Sequence, residues 1–431
     1  MPGLVRKAVV LAGGTGIAQL ISIAALPLLV RIYSPREFGI FALFSAVSWM
    51  AAVVATWQLE HRVILQGADR RAALLVQLIC TWGIAFAAVL SLVFIALLLS
   101  HTLVLPPDLS TTSLAFLLFL TVSGISLTQA MRAWLIRLGA FSWIARGTVV
   151  ASVVTATVAI LPAFLFGAEY QRYGLLMAQA SGLLVTALVW LKLGRPPVPG
   201  GFFRVRWKRI CTIARAEWYV GLVLTLSNAA KTGYGRMPTP VITSVGGAVA
   251  AGYFGLVERV IAAPSSLLAQ SVCAAFRNQI GEFAARREHG AIVHLYWRIV
   301  MVAFGIACPA YLLGALLAPE VFSLVFGEDW RTAGEYASIL LFGEIFVFVL
   351  ATVEDAAVLL DLNRYRLSWH IGQLTMIASL WGAVIAGWVT RIHEVLWILV
   401  GIRILFALID FSVIAAITLR VRRSGLGNTS D

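Results

Sequence analysis

The chain has 431 residues, 60% of them hydrophobic and only 12% charged, about half the charged fraction of ordinary soluble domains. Such a composition points to a membrane protein. The formal charge of +13 would suit a nucleic-acid binder. The basic residues, however, gather in connections between apolar runs, where membrane topology and anionic lipid heads account for them, so no nucleic acid is expected as a partner.

Twelve apolar runs follow one another, with approximate limits 8–30, 38–58, 72–98, 110–134, 143–166, 173–193, 216–242, 247–272, 291–318, 333–360, 367–389 and 394–418. Each is long enough to cross about 30 Å of hydrocarbon as a helix. The expected fold is all-α and integral to the membrane. The first run holds Gly13, Gly14 and Gly16 and is followed by Arg31 rather than a cleavage site, so it reads as a retained helix. No connection exceeds about two dozen residues, which leaves no room for a soluble catalytic domain.

Orientation follows from Lys and Arg. With the N-terminus in the cytoplasm, most of the 33 fall inside, among them Arg6, Lys7, Arg62, Arg70, Arg71, Arg137 and the cluster from Lys192 to Arg215. The outer set is Arg31, Arg36, Arg172, Lys231, Arg236, Arg331 and Arg391. Both termini are therefore expected in the cytoplasm. The four cysteines, Cys80, Cys211, Cys273 and Cys308, form neither a disulfide framework nor a metal pair and read as small core residues.

The longest polar connection, KLGRPPVPGGFFRVRWKRICTIARAE, divides the chain into an N-terminal six-helix bundle (1–193), a basic cytoplasmic linker (194–215) and a C-terminal six-helix bundle (216–431). A weak internal repeat supports the division. At one fixed offset Pro27 aligns with Pro240, Gly39 with Gly252, Phe41 with Phe254 and Leu43 with Leu256. Two parallel halves of six spans predict a central cavity and alternating access.

Helical spacing selects the residues that could face such a cavity. Ser227 and Asn228 stand four and three positions before Lys231, and Thr15, Gln19 and Ser22 form a matching stripe in the first run. A cation deep in a span costs at least about 2.5–3.5 kcal/mol, so Lys231 is expected to face water or a partner, with snorkelling to the surface as the competing reading. Arg236 and Arg31 lie nearer the outer boundary. Pro238 and Pro240 near the end of the seventh run, and Pro27 in the first, are expected either to kink their helices or to act as hinges.

The intramembrane acids are Glu258 beside Arg259, Glu344, Glu354 with Asp355, and Asp410. Spacing of seven predicts an Arg403–Asp410 ion pair on one helical face. Glu344 has no local partner and is either a candidate proton or sodium site or a hydrogen-bond partner of a neighbouring helix, with Glu258, Glu354 and Asp355 as further coupling candidates. No cofactor or metal is otherwise expected. GGTG at 13–16 lacks the Lys of a phosphate loop, so its glycines read as helix-packing residues.

Four segments carry a family likeness: GGTGIAQLISIAALPLLVRIYSPREFGIFALFSAV, WLIRLGAFSWIAR, AAGYFGLVERVIAAPSSLL and LFGEDWRTAGEYASILL. In that order they resemble the Wzx-type polysaccharide-biosynthesis flippases of the multidrug/oligosaccharidyl-lipid/polysaccharide (MOP) exporter superfamily. The most specific pieces are Pro27, Arg31, Tyr33, Pro35, Phe38 and Gly39, and then Phe326, Gly327, Trp330, Ala333 and Gly334. Where that family usually reads Tyr-Glu-x-Ala-Ile, this chain has LEHRVIL, keeping Glu60 and Ile64; Glu60 reads here as a helix-end charge near Arg62.

The resemblance implies a MATE-like arrangement of two bundles and a flippase rather than an enzyme. It implies a substrate of undecaprenyl-diphosphate-linked glycan, moved from the inner to the outer leaflet of the bacterial cytoplasmic membrane. A monomer working among membrane lipids, beside polysaccharide polymerase and export proteins, would follow. Lys231, Arg236 and Arg31 would then serve the diphosphate, and Asn228, Ser227, Thr15 and Gln19 the sugars. The inside-negative potential favours outward movement of an anion by about 2.3 kcal/mol per charge per 100 mV, and no ATPase motif is present. An ion-coupled drug or solute antiporter of the same superfamily is the alternative, and a membrane polymerase or ligase a more distant one.

Overall fold

The computed structural model describes residues 2–100, 109–194, 196, 207–285, 289–353 and 363–426. It falls into two compact units, Met1–Arg236 and Met237–Asp431. The first holds α1 (Pro2–Ile32), α2 (Pro35–Thr56), α3 (Glu60–Leu65), α4 (Asp69–Leu99), α5 (Thr111–Arg137), α6 (Phe141–Phe166), α7 (Ala168–Gly194) and α8 (Trp207–Arg236). The second holds α9 (Pro238–Ala285), α10 (His289–Phe326), a 3-10 turn (Glu328–Trp330), α11 (Arg331–Thr352), α12 (Asn363–Ile385) and α13 (Ile392–Leu426). No strand occurs among the described residues.

Ten stretches among the described residues are helical, long and apolar enough to span a bilayer. The expected run 216–242 and the larger part of 247–272 fall within one of them, Trp207–Ile261. Helix α12 matches the run 367–389 in position but is less apolar than the ten. In each unit one helix is the most enclosed, α5 in the first and α11 in the second. These are the fourth expected run of either half.

Helix α5 shows how such a span is enclosed without a hydrophobic drive, since lipid is as apolar as leucine. Its centre is small and hydroxylated: Thr121, Ser123, Gly124, Ser126 and Thr128 are all buried. Ser126 and Thr128 donate to the carbonyls of Val122 and Gly124, each at 2.9 Å, so these two hydroxyls are satisfied within the helix, while those of Thr121 and Ser123 are buried without a partner. Close approach follows. A Cβ added to Gly83 of α4 would meet Ser126 Cβ at 2.5 Å, and one on Gly124 would meet Leu183 Cβ of α7 at 2.9 Å. The same logic accounts for Gly14, whose added Cβ would lie 2.4 Å from Ala145 Cβ of α6; Gly13 and Gly16 have open space instead.

The residues that carry the family likeness build corners. Between α1 and α2, Ser34 is an N-cap in a capping box with Glu37, and Pro35 takes the first helical turn, where its missing N–H costs nothing. Tyr33, 1% exposed, donates from its hydroxyl to Ala159 O of α6 at 2.7 Å. That bond pins the corner to the following helices. After α5, Gly139 turns at φ +65° and Arg137 holds the next corner, donating to Asp69 Oδ1 at 2.7 Å and to Gln66 O. In the second unit Gly327 at φ +102° ends α10, buried Trp330 fills the turn, and Gly334 lets α11 touch the backbone of Ala318 and Pro319.

Two expectations are corrected here. Pro238 does not kink a helix: α8 stops at Arg236 and Pro238 opens α9, a position that needs no N–H donor, while the break within α9 falls at Gly247 with φ +68°. Pro27 does lie inside α1. Cys211 is exposed rather than a core residue, whereas Cys80 and Cys273 are buried and Cys308 is half-buried.

Candidate functional site

The stripe residues lie on two helices of the first unit, Thr15 and Gln19 on α1, and Ser227, Asn228, Lys231 and Arg236 on α8. Thr15 Oγ1 donates to Leu11 O at 2.9 Å and Asn228 Nδ2 to Leu224 O at 3.1 Å, each one turn back on its own helix. These bonds let polar side chains sit in a span at low cost. Thr15, Gln19, Ser227 and Asn228 are half-buried, while Lys231, Arg236 and Arg31 are exposed. The Arg236 guanidinium lies 5.8 Å from the ring centre of Trp49 on α2, a cation–π contact that fixes the end of α8.

In the second unit Arg403 of α13 is the centre of a buried charge group. Its Nη1 donates to Glu344 Oε2 of α11 at 3.2 Å, and its Nη2 to Glu258 Oε1 of α9 at 3.3 Å. Glu344 is 8% exposed, Arg403 17% and Glu258 33%, so the cost of desolvation falls chiefly on Glu344. Arg403 thus meets two carboxylates from neighbouring helices, which spacing along its own helix did not offer. Seven residues along a helix separate the Arg403 and Asp410 Cα atoms by about 10 Å, whereas neighbouring helices bring carboxylates to the guanidinium directly. Glu344, which has no partner within its own span, thus has one across the unit. Glu354 and Asp355 lie outside the described residues.

A second charge group was not anticipated as a unit. Glu217 of α8, 2% exposed, accepts from Arg62 Nε of α3 and from Arg71 Nη2 of α4, both at 3.0 Å. Glu60 does stand at a helix end, as the first residue of α3, while the Arg62 guanidinium bonds Glu217. Above the pair the chain turns through Trp57 and Gln58, both left-handed at φ +51° and +50°, a conformation that costs about 1–2 kcal/mol per non-glycine residue. Trp57 is seated against Trp218 and Trp82, with ring centres 4.6 and 5.7 Å away. Gly221 admits the indole: an added Cβ would lie 1.9 Å from Trp57 Cδ1.

Glu60 sits in the same corner. Thr56 Oγ1 reaches its Oε1 at 3.5 Å, and its Oε2 is buried without a hydrogen-bond partner. Burial raises its carboxyl from the usual carboxylate range to about 7. Because the folded protein then holds a proton that the unfolded chain releases above pH 4.5, stability contributed here is present at low pH. It is lost as pH rises through about 7. Glu60→Gln is expected to raise the melting temperature at pH 8 but not at pH 5; an equal rise at both values would contradict the assignment.

Helices of this length and apolarity, with charges paired inside them, define a multi-pass membrane protein. The chain belongs to the polysaccharide biosynthesis protein family, whose pattern it matches over residues 28–335. Its fold is that of the MOP exporters. It is similar to a multidrug resistance MATE family transporter of the MOP superfamily in the inward-facing conformation, with a TM-score of 0.54 and 17% identity over 99% of this chain and 96% of that one. It is also similar to a MOP superfamily transporter from Pyrococcus furiosus Vc1, at 0.53 and 16% over 98% and 96%. An outward-facing MATE family transporter gives 0.52 and 15% over 99% and 96%. No curated protein matches the sequence.

Proposed function

We propose that this transporter flips undecaprenyl-diphosphate-linked oligosaccharide units from the inner to the outer leaflet of the bacterial cytoplasmic membrane for surface polysaccharide synthesis. The observation that carries the reading is the family match across 28–335, in a chain with the exporter fold. Physics supports it. A diphosphate with a glycan cannot cross hydrocarbon unaided, because burying an unpaired ion costs tens of kcal/mol in the idealised limit. Cations and amide or hydroxyl groups along a wet path lower that barrier while the prenyl tail stays in lipid.

In this reading Lys231, Arg236 and Arg31 serve the diphosphate as it passes, and Thr15, Gln19, Ser227 and Asn228 the sugars. Lys231→Ala is expected to reduce flipping about tenfold at unchanged membrane abundance, and Lys231→Arg to keep part of the rate, since loss of one charge-assisted bond is worth about 1.5–3 kcal/mol. Normal flipping by Lys231→Ala would place the lysine off the path.

Coupling, in the same reading, resides in the second unit. With both carboxylates ionised, Arg403, Glu344 and Glu258 carry one net negative charge, which a proton or sodium ion neutralises. Charge in a span is costly enough that the neutral form is favoured whenever a proton or sodium ion is supplied. Glu344→Gln is expected to abolish any response of flipping to an imposed pH or sodium gradient while leaving its response to potential. A full gradient response in the mutant would remove Glu344 from coupling.

A further inference from the structure

We infer that the corner between α2 and α3, where it packs against α8, is a binding site for a prenyl diphosphate: Trp57, Trp82 and Trp218 hold the first part of the chain, and Arg62 and Arg71 hold the diphosphate. The inference rests on the flippase reading and adds an uptake site to it.

A cavity of about 90 Å³ lies there, about three water volumes, walled by the three indoles with Leu78, Ile79 and Glu217 among its neighbours. Apart from Thr56 and Glu217 its walls are indole and aliphatic, and the surface they present is almost wholly apolar, which suits a hydrocarbon occupant. Trp82 and Trp218 are 43% and 56% exposed, which puts an opening at the surface of the unit. The indole N–H of Trp57 is buried with no hydrogen-bond partner, and the two left-handed residues that place this ring carry a conformational cost. Backbone cost concentrated on seating one aromatic ring is a mark of functional sites.

Charge stands at the near end of the cavity. The span Pro35–Thr56 ends and the span Asp69–Leu99 begins at this corner, so Arg62 and Arg71 stand at span ends, where lipid head groups would lie, while Trp82 and Trp218 stand farther inside theirs. Two guanidinia share one carboxylate, leaving one net positive charge. The bonds to Glu217 use Arg62 Nε and Arg71 Nη2, and each planar fork has further N–H donors for phosphate oxygens. Side-chain exposure of 34% for Arg62 and 51% for Arg71 keeps those forks within reach of the membrane surface. Two guanidinia match two phosphates, and a π-bonded prenyl chain suits indole faces better than a saturated one. The positive-inside reading places this end at the inner leaflet, where the lipid-linked substrate is made.

The test is photolabelling of the full-length protein in liposomes with a diazirine-bearing prenyl diphosphate that has no sugar, adducts being mapped by mass spectrometry. Adducts are expected at 56–60, 78–82 and 214–218, displaced by unlabelled undecaprenyl diphosphate and not by excess phosphatidylglycerol. Trp218→Ala and Arg71→Gln should each lower labelling about thirtyfold, with Trp218→Phe near wild type, the size of effect typical of a binding hot spot. Equal displacement by phosphatidylglycerol would show an ordinary interfacial tryptophan belt and overturn the inference, as would labelling unchanged by Trp218→Ala. Labelling at this corner without any flipping of glycans would overturn the flippase reading alone; flipping without labelling here would overturn the uptake site alone.

Discussion

Replacing Arg403 with methionine is expected to be the most damaging single change in the second unit. It removes the guanidinium shared by Glu344 and Glu258 and leaves Glu344, 8% exposed, as an uncompensated buried charge. Breaking a buried pair from one side costs about 3–5 kcal/mol, more than the intact pair contributes, because the remaining ion keeps its desolvation penalty. A second substitution, Glu344→Gln, should restore much of the melting temperature lost by Arg403→Met. Thermal unfolding of purified protein followed by size-exclusion fluorescence measures both. Additive loss in the double variant would contradict the pairing.

The second large effect is expected at Gly334. An added Cβ there would meet Pro319 Cα at 2.5 Å and Ala318 O at 2.6 Å. Those are backbone atoms of α10, and no side-chain rotation relieves them. Gly334→Val must therefore push α11 away from α10, and overpacking of this kind costs about 1–3 kcal/mol or more. Folded yield of Gly334→Val should fall sharply. Gly314→Ala is the control on the same pair of helices, since its Cβ would touch only Leu341 Cδ1 at 3.5 Å. Equal tolerance of the two substitutions would show that α10 and α11 are not in close contact at Gly334.

These two residues also mark what the sequence could and could not disclose. Spans are legible because a bilayer imposes length and apolarity on every crossing, and the two least distinct runs were those bounded by Gly247 and those of lower hydropathy in α12. Gly334, Phe326 and Trp330 were visible as a motif, yet only packing reveals that the motif is a corner. Tyr33 is the same case: its hydroxyl bonds Ala159, 126 positions away.

Charge partners were the least legible feature. Helical spacing sees only one helix, so it offers Asp410 to Arg403 and cannot show the carboxylates that α9 and α11 bring to it. Glu217 closed the basic connection in plain view as its sole acid, but its arginines stand 155 and 146 positions earlier. Pro238 was misread because proline ends one helix and opens another with the same residue pattern; the outcome turns on whether a helix start lies there.

The measurement that bears most directly on the central claim follows undecaprenyl-diphosphate oligosaccharide in proteoliposomes, with outer-face exposure of the labelled glycan recorded under an imposed inside-negative potential. Exposure that requires the protein, rises with potential and does not occur for cationic drugs is the predicted result. Retention of every glycan on the inner face, together with protein-dependent efflux of drug, would contradict the flippase account and establish an antiporter on the same fold.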